Sequence, residues 1–281
     1  MLRPLPADAG KETRGRVLII GGSLRYPGAL LIAGRAAARC GAGVVALAAA
    51  HSVVEHLAGR DPNLVFYPLA EAAPGVVTVA AAAQVSTALR EKIRALLIGP
   101  GLAHATGTDD FVAAVLRNAG AVPTVIDADG LNALARTEGW PAALPAKTVL
   151  TPHDGEAARL AGRVVPTGAA RVAFAERAAR DWGAVVVLKG AITVVTDGKK
   201  TYVHDLPNPA LGVGGSGDAL AGATAAFLAR GLAPVSAAAV AVWTHGRAGA
   251  LLLSELGETG VLATDIVEAM PRALREVIEA R

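Results

Sequence analysis

Cysteine is almost missing from this chain. Cys40 stands alone, so no disulfide can close within it, which fits a reducing cytoplasm. It lies in an alanine-rich stretch and reads as a small buried apolar residue. Aromatic residues make up only 4% of the sequence, so a bound base would rest on aliphatic side chains, not on stacked rings. Charge of one sign is lacking too. Lys and Arg number 27 against 24 Asp and Glu, for a net +3, and nowhere do the basic residues cluster into a run. The pI of 9.2 reflects a small surplus, and nucleic acid is not an expected partner. No uninterrupted membrane-length run exists, since a span needs about 20 apolar residues. Ala219 to Trp243 is broken by Arg230, Gly231 and Pro234, and Ala29 to Ala50 carries Arg35 and Arg39. Both read as buried helices and strands. Met1 to Arg16 mixes proline, charge and glycine without the apolar centre of a signal peptide. The histidines lack paired metal-ligand spacing, so no structural metal is expected. A cytoplasmic chain with no membrane partner is the expectation.

What is abundant is alanine and valine. The chain is 53% hydrophobic with mean hydropathy +0.44, which suits small-residue helix packing on a buried sheet. So apolar a composition also suggests self-association into a homo-oligomer. Continuous apolar runs recur: Val17–Ile20, Leu96–Ile98, Thr124–Ile126, Thr148–Leu150 and Val185–Leu188. Such runs predict strands covered on both faces, and the helical patterns after most of them predict βαβ units. Residues 192–196 and 201–203, split by Asp197-Gly198-Lys199, predict a hairpin. Helices are predicted over 217–230, 235–254 and 264–280. The economical architecture is one α/β domain spanning 1–281: a central, mainly parallel sheet between two helical layers, with 1–15 as an extension that could be flexible.

Polar and glycine residues gather where the strands stop: Gly22-Ser23, Gly99-Pro100-Gly101, Asp127-Ala128-Asp129, His153 and Lys189. Ligands bind outside the carboxyl ends of parallel strands, so these positions should meet on one rim. The segment Gly214-Gly215-Ser216-Gly217-Asp218 leads into an apolar helical run. Bare backbone amides at a helix start attract anions. Asp218 could take a proton from a hydroxyl while the amides hold a transferring phosphoryl group. It could also be an ordinary first-turn carboxylate. A helix N-terminus should keep it ionised, hence weakly basic.

Taken in order, Gly21-Gly22-Ser23, Gly99-Pro100-Gly101-Leu102, Asp127-Ala128-Asp129-Gly130-Leu131-Asn132, Thr151-Pro152-His153-Asp154-Gly155-Glu156, Val187-Leu188-Lys189-Gly190 and Asn208-Pro209 ahead of Gly214–Asp218 resemble the ADP/ATP-dependent (S)-NAD(P)H-hydrate dehydratases. The resemblance runs from about Arg16 to the C-terminus. It implies a ribokinase-like three-layer α/β/α sandwich. With no room for the N-terminal epimerase domain of some relatives, the chain looks like the stand-alone dehydratase. The implied reaction is repair of NADH or NADPH hydrated at C6. The hydroxyl of the S-epimer is phosphorylated from ADP or ATP, with a lean towards ADP, and phosphate is then expelled. Magnesium would come with the nucleotide phosphates.

The resemblance also implies roles. Asp218 would be the base, with Gly215, Ser216 and Gly217 as the anion hole. Lys189, Gly190, Ala191, Ile192 and Thr193 would bind the nucleotide, completed by Gly217. Ala29, Gly101 and His153 would contact the hydrated nucleotide together with Asp218. Lys189 could equally be a surface lysine, and His153 a structural residue. Asp127 and Asp129 could orient ligand or magnesium-bound water, though Asp129 reads rather better as a helix cap. Glu156 is the better candidate for indirect magnesium contact, and could also be a plain first-turn carboxylate. Asn132 and Asn208 are further candidates. Asp154 stands where the family usually has proline, and Leu211-Gly212-Val213 replaces a more polar segment, which bears on nucleotide affinity. Two other readings are a ribokinase-like kinase for a vitamin-precursor alcohol (hydroxymethylpyrimidine, hydroxyethylthiazole or pyridoxal type) and a non-catalytic nucleotide sensor. A nicotinamide dehydrogenase fits less well, because Gly21-Gly22-Ser23 lacks the full Gly-x-Gly-x-x-Gly pattern.

Overall fold

The computed structural model describes residues 4–279. Its strands are β1 (Arg16–Ile20), β2 (Val44–Ala50), β3 (Val65–Leu69), β4 (Glu71–Ala73), β5 (Val76–Val77), β6 (Ile93–Ile98), β7 (Thr124–Ile126), β8 (Thr148–Leu150), β9 (Val185–Leu188), β10 (Thr193–Thr196) and β11 (Thr201–His204). Its helices are α1 (Lys11–Arg14), α2 (Pro27–Arg39), α3 (His51–Leu57), α4 (Ala81–Leu89), α5 (Thr108–Asn118), α6 (Asp129–Arg136), α7 (Asp154–Ala161), α8 (Ala169–Trp182), α9 (Ser216–Ala229), α10 (Pro234–Leu256) and α11 (Ala263–Glu279).

Nine strands form the middle layer in the order β11-β10-β9-β8-β7-β6-β1-β2-β3. Neighbours from β9 to β3 run parallel, while β10 and β11 are antiparallel additions at one edge. The expected mainly parallel sheet and the 192–203 hairpin are therefore present. β1, β6, β7, β8 and β9 are wholly apolar or nearly so because helices cover both faces. Right-handed crossovers decide which helix covers which face. From β1 the chain steps outward to β2 and β3, placing α2 and α3 on one side. It then returns to β6 and steps the other way, placing α4 to α8 opposite. α9, α10 and α11 join α2. Their seam is made close by small residues: a Cβ on Gly222 of α9 would lie 2.1 Å from the Ala33 carbonyl oxygen of α2.

The stretch 29–50 resolves into α2 and β2, joined by the turn at Cys40–Gly43. Cys40 is buried beside the Met270 sulfur at 3.7 Å, and burial pushes its thiol up to about 12. The edge strand β3 was not legible in sequence. It pairs on one side only, keeps Val65 exposed and admits Pro68, which an edge tolerates. At the N-terminus Lys11–Arg14 form a helical turn pressed against Gly43, and Gly15 lies against Ala229. Residues 1–3 of the expected extension, and residue 280 of the last predicted helix, lie outside the described residues. No helix among the described residues is long and apolar enough to cross a membrane.

Candidate active site

The strand order reverses between β6 and β1, and parallel sheets open a crevice at such a point. The loops after these two strands touch there. Gly22 N–H donates to the Pro100 carbonyl at 2.8 Å, and Gly21 has no room for a Cβ against the same oxygen. Gly101 adopts φ +63°, and a Cβ on it would meet Tyr26 O at 2.6 Å and Ala29 Cβ at 2.9 Å. Ala29 and Gly101, far apart in sequence, thus form one patch. Ser23, in the loop after β1, is buried.

The next three strand ends build a charged cluster. Asp127, buried after β7, accepts from Thr151 Oγ1 at 2.7 Å and from Lys189 Nζ at 2.8 Å. Glu156 Oε2 lies 3.9 Å from the same ammonium. Burial disfavours the Lys189 ammonium, but the facing carboxylates of Asp127 and Glu156 outweigh it and raise its pKa. Lys189 is therefore no loose surface lysine: its charge is engaged by Asp127. Burial pushes Glu156 up to about 7, and Asp127 adds to the push while Lys189 opposes it.

His153 caps α7. Its Nδ1 accepts from Gly155 N–H at 3.0 Å and Glu156 N–H at 3.3 Å, while Glu156 Oε2 accepts from His153 N–H at 2.8 Å. An Nδ1 that accepts amides leaves the proton on Nε2 of a neutral ring. Burial first, then Lys189, lowers the histidine pKa. The structural reading of His153 holds, yet the ring stays about half exposed on the rim beside Lys189.

Asp129 differs from expectation. It is the first residue of α6, not its cap, and makes no capping bond. Its Oδ2 accepts from Ala103 N–H at 2.8 Å and its Oδ1 from Asn132 Nδ2 at 3.2 Å. The carboxylate thus ties the start of α6 to the 101–103 loop. Asn132 also accepts from Arg159 and has a structural role here.

α9 begins at Ser216 after Gly215 at φ +90°. First-turn amides have no acceptor within their own helix, but Ser216 N–H turns back to the Val213 carbonyl at 3.2 Å, which leaves the expected anion hole to the amides after it. Gly214 has open space around it, and a Cβ on Gly217 would lie 3.2 Å from Lys189 Nζ. The Lys189 ammonium and the head of α9 therefore face each other. Asp218 is half-buried among Asp127, Lys189, Asp129 and Glu156. The expectation of a firmly ionised, weakly basic carboxylate is overturned. Burial, reinforced by Asp127, pushes it up to about 7, against the pull of Lys189. The fractional charge of a helix end does not offset desolvation plus neighbouring carboxylates.

A cavity of about 840 Å³ adjoins this cluster. Its wall includes His153, Lys189, Gly190, Ala191, Thr193, Asn208, Ser216 and Gly217. Leu206, Pro207, Leu211, Val213, Leu220 and Val242 give it an aliphatic side. Ile192 is not part of the wall; its side chain is exposed and its carbonyl points to Arg171. Ala29, Gly101, Asp127, Asp129 and Asp218 also lie outside this wall. Asn208 Oδ1 accepts from Ala210 N–H and shapes the turn that closes one side.

Two residues of the site were not found in the sequence. Buried His245 of α10 holds Nε2 2.9 Å from Ser216 Oγ and 3.1 Å from Ser216 O, bracing the head of α9. Burial drives its pKa down to about 4, so the ring is neutral. A histidine between Thr244 and Gly246 inside an apolar helix was the available signal. Arg171 of α8, also buried, bonds Asp154 and the backbone of 188–192. Nothing in its local pattern marked it.

The model of the NAD(P)H-hydrate dehydratase family matches residues 17–272. The chain is 40% identical over 276 residues to the ADP-dependent (S)-NAD(P)H-hydrate dehydratase of Xanthomonas campestris, covering 97% of this chain and 92% of that protein. It is 38% identical to the bifunctional NAD(P)H-hydrate repair enzyme of Moorella thermoacetica, over 97% of this chain and 52% of that one. The chain thus spans about half the length of the bifunctional relatives it matches. Among solved structures, the ADP/ATP-dependent NAD(P)H-hydrate dehydratase of Bacillus subtilis, crystallised with ATP and Mg2+, superposes with a TM-score of 0.82 at 29% identity, over 98% of this chain and 94% of that one. The three-layer fold is ribokinase-like. With its strand-end motifs, its glycine-headed α9 and a match over nearly the whole length, the chain belongs to the NAD(P)H-hydrate dehydratase family.

Proposed function

We propose that the chain dehydrates the S-epimer of hydrated NADH or NADPH, using ADP or ATP. The observation that carries this reading is the half-buried Asp218 at the head of α9, opposite the Lys189 ammonium and with its pKa pushed up to about 7. A carboxylate tuned to neutral pH can accept a proton there, which an ordinary one does poorly. The substrate hydroxyl would lie on the Ala29–Gly101 patch with His153 at its rim. Asp218 takes the hydroxyl proton as the oxygen attacks the terminal phosphorus. The bond from phosphorus to the rest of the nucleotide breaks, releasing AMP from ADP or ADP from ATP. The α9 amides and Lys189 hold the charge on the transferring group. The ring nitrogen then pushes electrons towards C6 and phosphate leaves with the C–O electron pair. Loss of a proton from C5 restores the double bond.

Segment 189–193 and the aliphatic wall would take the nucleotide, leaning towards ADP as the Xanthomonas relative's name suggests. Asp127 and Glu156 are hard oxygen donors that fit the water shell of a magnesium ion carried on the phosphates. That ion would supply charge neutralisation at the phosphoryl group. The expectation of a homo-oligomer rests on the apolar composition, and light scattering on the purified chain checks it.

The test is a spectrophotometric assay on chemically hydrated NADH with ADP and ATP supplied separately. Return of the NADH absorbance with release of free phosphate is expected. A stable phosphate ester formed from a vitamin-precursor alcohol, with no NADH recovery, would instead mark a small-molecule kinase.

A further inference from the structure

The guanidinium of Arg171 sits beneath the segment that turns out of β9. Its Nη2 donates to the Lys189 carbonyl at 2.8 Å and towards the Leu188 carbonyl at 3.4 Å. Its Nε donates to the Ile192 carbonyl at 3.1 Å. Its Nη1 donates to Asp154 Oδ1 at 2.6 Å. All three guanidinium nitrogens donate, and the side chain is only 9% exposed. Gly190 fits this arrangement, since a Cβ there would come within 2.6 Å of Arg171 Nη2. Carbonyl and N–H point oppositely across a trans peptide. Drawing the carbonyls of Lys189 and Ile192 inward fixes the peptide planes of the segment: Gly190 N–H, turned outward, donates to Thr193 Oγ1 at 3.4 Å, and Thr193 pairs with His204 of β11. Lys189, Gly190, Ala191 and Thr193 line the cavity on that outward side, whereas Arg171 does not reach it. Asp154 is the first residue of α7, next to the cap His153. The same helix start thus presents His153 to the rim and locks the fork of Arg171.

We propose that Arg171, locked by Asp154, is a positioning residue that holds the backbone of segment 189–193 in place as the cavity wall facing the nucleotide and so sets nucleotide affinity. Resting on the functional reading above, this adds a residue that touches neither substrate. It also gives a purpose to the carboxylate at position 154, where the resembled family usually has proline.

The experiment measures ADP and ATP binding to the full chain by calorimetry, and the KM of each substrate in the hydrated-NADH assay. Arg171→Lys keeps the charge but loses the fork. It should weaken nucleotide binding about tenfold, the worth of one or two charged hydrogen bonds. Asp154→Ala, on the solvent side, should weaken it about threefold. The double variant should be no worse than Arg171→Lys alone, because both act through one fork. KM for hydrated NADH and kcat at saturating nucleotide should change by less than about twofold. Unchanged nucleotide affinity in Asp154→Ala and in a folded Arg171→Lys overturns the proposal, as does an equal rise in both KM values. Should Arg171→Lys lose its cooperative melt, Asp154→Ala decides alone. A wild-type chain that binds ADP but restores no NADH refutes the functional reading, while the calorimetric comparison still decides the role of Arg171. One that binds neither nucleotide overturns both.

Discussion

Asp218 is held against its own chemistry. Unfolded, it would titrate near the ordinary aspartate value of 3.8; folded, burial and Asp127 move it to about 7. Between these values the folded state binds the extra proton, so this group makes stability fall as pH rises from about 4 to about 7. Above pH 7 the whole cost of an ionised Asp218 is present. Asp218→Asn should therefore stabilise the protein at pH 8 by about 1–3 kcal/mol and have little effect at pH 4, read from denaturant midpoints at the two pH values. The same titration should govern catalysis. With Asp218 as the proposed base, which must be ionised to act, kcat/KM should fall tenfold per pH unit below about pH 7 and level off above it. Glu156, also pushed up to about 7, titrates in the same window. Position 218 could be read as a carboxylate beside an anion-binding loop. Its tuning could not, because the carboxylates that shift it arrive from other strands.

The elements were legible where their pattern was local. β1, β6, β7, β8 and β9 are apolar runs ending in glycine or a polar residue, and the helices of the last third begin and end within a residue or two of expectation. β3 was not, since this edge strand is exposed or half-exposed at all but its last residue and tolerates Pro68. The cap at His153 was half legible: Thr-Pro-His-x-Gly-Glu contains the glutamate three residues on, but a histidine is an unusual cap. The α2–α9 seam was least legible, because a glycine in an alanine-rich helix gives no sign of what approaches it. At that seam Gly222→Ala should cost about 2–4 kcal/mol, because the Ala33 carbonyl leaves no space for a methyl group. Gly28→Ala, where nothing lies within 4 Å, should change stability by no more than about 1 kcal/mol and in the favourable direction. Thermal melts of the two variants check the pair.

At the scale of the molecule, the sheet order makes one site of scattered motifs. β9-β8-β7-β6-β1 are consecutive neighbours, so the loops carrying Lys189, His153, Asp127, Gly101 and Ser23 stand side by side. The convergence of these loops could be foreseen from the strand-end rule; the order itself, and Arg171 and His245 reaching in from helices, could not. In the proposed function nucleotide and hydrated substrate meet on this rim, and each should stabilise the fold by mass action. ADP at about 100 times its Kd should add about 2.7 kcal/mol, visible as a rise in Tm. The most direct measurement of the role of Asp218 compares ADP binding and NADH recovery in Asp218→Asn. Nucleotide affinity should stay within about threefold of wild type while recovery slows by about 10²–10⁴. Recovery at the wild-type rate would contradict a catalytic base at this position.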